Sequence, residues 1–197
     1  MTLDALDLDS FDHATAVFAQ VLRSTDRADG DRRTACGGWT ITEVANHVCG
    51  GALRYIHYLR GGAPEDISWT HTADNLGDDP RAVHRRLSAD LRTLFAHPDA
   101  GSLRARHPMR TVSGAQLLRM RVLELAVHAW DISSTLDGAA TIDDDLATYL
   151  LDRAAELLEA ERAHGYFTDV QPVGPDVSAS ARLLALTGRR PAAIPSS

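Results

Sequence analysis

MRVLELAVHAWDI, residues 120–132, is apolar on almost every side of a helix. Met120, Leu123, Val127 and Trp130 lie on one flank, while Val122, Leu125, Ala126, Ala129 and Ile132 fill the others. A helix of that kind is buried. Yet Arg121, Glu124, His128 and Asp131 form one stripe at spacings of three and four. Ionisable groups on a buried helix must find partners or lose their charge. A metal ion is one partner that would serve.

Further amphipathic helices are predicted on either side of this segment. Ser10 to Ala28 carries Phe11, Ala14, Phe18 and Val21 at helical spacing. A second helix starts at Thr40, where Thr40 and Glu43 fit a capping box and Trp39 can staple onto Val44. It runs to Gly61-Gly62. A polar loop over 63–78 leads to a third helix, capped by Asp79 with Pro80 at its first position and ending near Ala96. The central helix spans Ser113 to Leu136 and stops at Asp137-Gly138. A fifth is predicted from Asp143 to His164, and a short last one from Asp176 to Thr187, before a Pro-rich tail. No strand pattern of length is present. The expectation is an all-α bundle of four main helices with additional short ones, one domain over 1–197, in which 175–197 is a short helix and tail.

Composition fits that class. The chain has 197 residues, 44% hydrophobic and 24% charged, enough for one full core. Aromatics are 6%, and Ala and Leu dominate, which suits helices better than strands. The net charge of −7 argues against nucleic-acid binding. All 20 basic residues are Arg, so no lysine Schiff base is available. No apolar run is long enough to span a membrane, and the acidic N-terminus lacks signal-peptide features. The expected location is the cytoplasm, with no membrane partner.

Glu124 and His128 are four residues apart, about 6 Å at the backbone on one face. A carboxylate and an imidazole so placed can converge on one ion, by the logic that aligns two histidines in H-E-x-x-H. A third ligand must come from another helix, and His47 is the candidate. Gly50 and Gly51 follow it, and in a helix interior they are expected to leave space for a ligand. Two histidines and one carboxylate leave coordination positions open. Spacing alone also allows ordinary readings: His47 as a hydrogen-bonded edge residue, Glu124 and His128 as a solvated pair. Cys49 sits about 200° from His47 around the helix and reads as core. Cys36 reads as a solvated or packed thiol, and His71, His84, His107 and the remaining histidines as surface or core. Arg54, seven residues after His47, returns to nearly the same face and is a candidate for binding a substrate anion.

Three stretches carry a family resemblance. GWTITEVANHV at 38–48 resembles the G-W-T-x-x-x-x-x-x-H-V element of the DinB-like, metal-binding domain of mycothiol-dependent maleylpyruvate isomerases. RVLELAVHAWDISSTLDG at 121–138 resembles the E-x-x-x-H-x-W-D element of that group. DVSASARLLALTGRRP at 176–191 is similar to the closing R-L-L-A-L-x-G-R-x-P signature of its short members. The resemblance implies a DinB-like four-helix bundle and a divalent metal, zinc, at His47, Glu124 and His128. It implies Trp130 and Asp131 as packing and supporting residues, Asp131 orienting a neighbouring ligand or arginine. The implied activity is a metal-dependent isomerase or thiol transferase, in which the ion activates a low-molecular-weight thiol such as mycothiol for attack on a small organic substrate. The same site would alternatively activate water for hydrolysis or a Lewis-acid rearrangement, or simply bind metal. Related bundles pair through helix faces, so a homodimer is a further expectation.

Overall fold

The computed structural model describes residues 3–136 and 142–190. The predicted stop at Asp137-Gly138 and the Pro-rich tail lie outside them. Four long helices form the frame: α1 (Ala5–Ser24), α2 (Ile41–Leu59), α3 (Pro80–Phe95) and α4 (Gly114–Leu136). Helix α1 packs on α3 and α4, and α2 packs on the same two, which closes a four-membered ring. Three shorter helices, α5 (Asp144–Arg153), α6 (Ala155–Ala163) and α7 (Ala179–Leu186), follow among the described residues. Helix α5 leans on α1, α4 and α7.

Local chemistry explains most boundaries. Thr40 Oγ1 accepts from the Glu43 amide and Glu43 accepts from the Thr40 amide, the expected capping box. Asp79 accepts from the Ala82 amide ahead of Pro80. Asp143 accepts from the Asp145 and Leu146 amides and caps α5. Helix α1 begins earlier than the sequence suggested, at Ala5, because Asp4 and Asp7 make a reciprocal cap. It ends at Ser24, and a short 3-10 turn, Arg27–Asp29, follows.

Three further expectations are corrected. The helix predicted over 143–164 is two helices, broken where Ala154 leaves helical geometry (φ −120°, ψ 10°). No Gly or Pro marks the break. The loop over 63–78 contains a 3-10 helix, Pro64–His71. A small antiparallel hairpin, β1 (Arg104–Arg106) and β2 (Thr111–Ser113), precedes α4.

The core is one hydrophobic cluster running from Phe11 to Leu184. Helix α4 passes through it, with Leu117, Leu118, Val122 and Leu125 wholly buried. Asp7, also fully buried, accepts from Arg119 of α4 and from the Tyr149 hydroxyl of α5 at 2.8 Å. That pairing satisfies a charge inside the core and ties three helices together.

Candidate metal centre

The charged stripe of α4 has partners. Arg121 is fully buried, and its Nη1 donates both to the Val48 carbonyl at 2.9 Å and to Glu124 Oε2 at 2.7 Å. One guanidinium therefore links the backbone of α2, one residue past His47, to the carboxylate on α4. With Oε2 taken, Glu124 Oε1 faces His47 Nε2 at 3.3 Å. The rings of His47 and His128 lie 5.2 Å apart, edge to face. His128 Nδ1 donates to Asp131 Oδ2 at 2.9 Å, and Arg189 donates to both oxygens of Asp131, at 3.0 and 2.7 Å. His47 thus lies against both Glu124 and His128, but the three ligand atoms are not all within 4.8 Å of one another; the group with that spacing among the described residues is Cys36, His128 and Asp131.

Burial works against charge on Glu124, but the Arg121 guanidinium and His47 outweigh it and hold the carboxyl well below its usual range. Burial pushes the His47 imidazole down, partly countered by Glu124, so it is neutral near pH 7. His128 is opposed by burial too, yet its hydrogen bonds to Asp131 and Cys36 raise it to about 9.

The three side chains line a cavity of about 510 Å³. Its wall is largely apolar: Tyr55 and Tyr58 from α2, Met120, Leu123 and Val127 from α4, and Phe167 beyond α6. Arg54 is buried, donates to Thr70 Oγ1 at 3.1 Å, and pairs with no carboxylate among the described residues. It lines this cavity and a second one of about 490 Å³ that adjoins it at Trp39, His47 and His71.

The glycines of α2 do not leave the expected opening. A Cβ on Gly51 would sit 2.5 Å from Glu124 Oε1, and one on Gly50 would sit 2.8 Å from Asn75 Nδ2. The room they make is filled by protein.

Several cavity residues escaped the sequence reading. His71 and His107, expected at the surface or in the core, both line the cavity. Burial lowers His107 to about 4, so it is neutral. Glu161 of α6 lines it as well, raised to about 8 by burial and by the nearby Glu124 carboxylate. Cys36, expected to be solvated or packed, lies in a cluster with His128 and Asp131 in which one ligand atom from each is within 4.8 Å of the others. Arg189 comes from the closing R-R-P stretch. None of these carries a helical-spacing signal, because loops and later elements deliver them. Cys49 is buried, as expected. Trp39, expected as a staple on Val44, lies with its ring 5.0 Å from that of His47.

The bundle with its added C-terminal helices is a DinB-like helical domain. It superposes on the crystal structure of the mycothiol-dependent maleylpyruvate isomerase with TM-score 0.66 at 21% identity, covering 93% of this chain and 88% of that one. A histidine-to-alanine mutant of that isomerase gives TM-score 0.60 at 22% identity, over 77% of this chain and 68% of the other. At these identities the likeness is one of fold. The chain belongs to the mycothiol maleylpyruvate isomerase N-terminal domain family, which it matches over residues 11–133. Two uncharacterised proteins of Mycobacterium tuberculosis, MT0763 of strain CDC 1551 / Oshkosh and Rv0738 of strain ATCC 25618 / H37Rv, are each 26% identical over 178 residues, 89% of this chain and 93% of theirs. No helix among the described residues is long and apolar enough to cross a membrane.

Proposed function

We propose that this chain is a metal-dependent enzyme of the mycothiol-dependent isomerase or thiol-transferase type, with one divalent ion, zinc, held by His47, Glu124 and His128. What supports the reading is that all three side chains, from two helices, line one cavity large enough for an organic ligand, with His47 against both Glu124 and His128. Two of the three donors already have the spacing that such an ion requires. Two ligands about 2.0–2.1 Å from zinc at the tetrahedral angle are about 3.3 Å apart, and His47 Nε2 and Glu124 Oε1 are 3.3 Å apart.

A bound divalent ion would lower the pKa of a coordinated thiol and so supply a thiolate nucleophile near neutral pH. The chain's own residues do the rest. Arg121 keeps Glu124 ionised and fixes which oxygen faces His47. Asp131, held by Arg189, orients His128 through Nδ1. Arg54, buried beside His47 with no carboxylate partner among the described residues, binds an anionic group of the substrate. The apolar wall excludes water around the reacting atoms.

Calorimetric titration of mycothiol into zinc-loaded and metal-free protein tests this reading. Binding is expected only with zinc. A small dicarboxylate should bind the loaded wild type and be weakened at least about tenfold in Arg54→Met, a loss typical of a charge-assisted hydrogen bond. Mycothiol binding that ignores the metal would contradict the proposal.

A further inference from the structure

Two carboxyl side chains among the described residues line the large cavity, those of Glu124 and Glu161. Glu124 is committed, with one oxygen on Arg121 and the other facing His47. The half-buried Glu161 side chain has no hydrogen-bond or ion-pair partner among the described residues, and so none in His47, Glu124 or His128. Helical spacing puts it there. Glu161 lies three residues after Leu158 and four after Leu157, both buried, so all three share the inward face of α6. Past the turn at Gly165 (φ 80°), the Tyr166 amide donates to the Glu161 carbonyl at 3.0 Å and fixes the end of the helix.

A thiol that enters with its proton and binds as thiolate must give that proton to something. His47 and His128 are taken by the ion in the proposed site. The Cys36 sulfur is engaged by hydrogen bonds with His128 and Arg189. His107, at about 4, is a weak base, and His71 is exposed to solvent. Glu161 remains. Burial and the Glu124 carboxylate raise it to about 8, while His128 acts in the opposite sense. Tyr55 of α2 lies within reach of the same carboxyl and is un-ionised, because burial raises its hydroxyl well above the usual value. A carboxyl brought this close to neutrality can both take and return a proton.

We propose that Glu161 is the proton acceptor of the cavity, taking the proton of an incoming low-molecular-weight thiol and returning it when the thiol leaves. This rests on the metal and thiol reading above. The step balances without oxidant or reductant. The S–H bond breaks, its electron pair stays on sulfur, and an O–H bond forms on the Glu161 carboxylate. Charge drives the step in that direction. With a divalent ion beside Glu124, the negative field that favours the acid form of Glu161 is opposed, and the residue waits as a carboxylate. An arriving thiolate brings one negative charge back, and the acid form returns with it. Glu161 lies beyond the family match at residues 11–133. The acceptor is therefore supplied by a helix added to the bundle.

Calorimetry of mycothiol binding to zinc-loaded protein, run in Tris and in PIPES near neutral pH, counts the protons given to the buffer. A free thiol carries about one proton under those conditions. Glu161→Gln and Glu161→Ala lack the acceptor and should release roughly one proton per thiol bound. The wild type should release less than about half as much, because Glu161 keeps the proton. A wild type that releases about one proton, or variants that release no more than it does, would overturn the proposal and leave the thiol reading standing. Zinc-loaded wild type that binds no mycothiol would overturn both.

Discussion

Glu124 Oε1 fills the space that a side chain at Gly51 would need, since a Cβ there would come within 2.5 Å of it. The carboxylate cannot readily retreat, because Arg121 holds its other oxygen at 2.7 Å. Gly51→Ala should therefore damage the site and spare the fold. Alanine is favoured over glycine in a helix interior by up to about 1 kcal/mol, which offsets part of the clash. The expected outcome is thermal stability close to wild type with zinc affinity reduced at least about tenfold, the lower end for disturbed ligand support. Competition titration with a chromogenic chelator measures it.

Removing Arg121 should act on stability as well as on the site. Arg121→Met leaves the Glu124 carboxylate without its buried cation and frees the Val48 carbonyl. Breaking a buried pair from one side costs about 3–5 kcal/mol. Zinc, by neutralising Glu124, should return part of that. Urea unfolding with and without metal is the check, and the variant should lose more stability metal-free than loaded.

Asp131→Asn keeps the size of the side chain but removes the charge that His128 and Arg189 share. Supporting carboxylates behind a metal-bound histidine typically contribute about 10–100-fold in affinity. A loss in that range is expected, with the helical circular dichroism unchanged.

His84 sets a pH dependence away from the site. It is buried on α3, with its ring 5.1 Å from that of Phe18 and Nε2 3.4 Å from Ser88 Oγ. Burial, with a smaller effect of the Arg121 cation, lowers it to about 3 from an ordinary 6.5. The folded state binds the proton less tightly than the unfolded chain. Unfolding then takes up a proton between those two values, so stability is full above about pH 6.5 and falls as pH is lowered through the window. From about pH 7 to about pH 5 this group removes ~2 kcal/mol. His84→Leu should flatten the acid limb of a urea-denaturation series by that amount.

What the sequence shows and what it hides have physical reasons. The all-round apolarity of 120–132 marks a buried helix, and the stripe through Glu124 and His128 marks the face that needs partners. That stripe is visible because both residues lie on one element with a fixed repeat. His47 is visible through its place on a capped, amphipathic helix. Cys36, His107, Glu161 and Arg189 reach the cavity from a loop, a hairpin, a broken helix and the chain's closing stretch. Their placement depends on tertiary packing, which no local period encodes. The break at Ala154 is silent for a related reason, since alanine is a good helix former and nothing local announces the turn. Gly50 and Gly51 were legible as a gap, but only the fold shows that Asn75 and Glu124 occupy it.

The central claim is that His47, Glu124 and His128 together hold one divalent ion. Its most direct test is the zinc content of wild-type protein beside Glu124→Gln, measured by mass spectrometry after zinc loading and desalting. The account predicts one zinc per chain in the wild type and a loss in the variant, which keeps its helical circular dichroism. Equal zinc in both proteins, or none in the wild type, would contradict it.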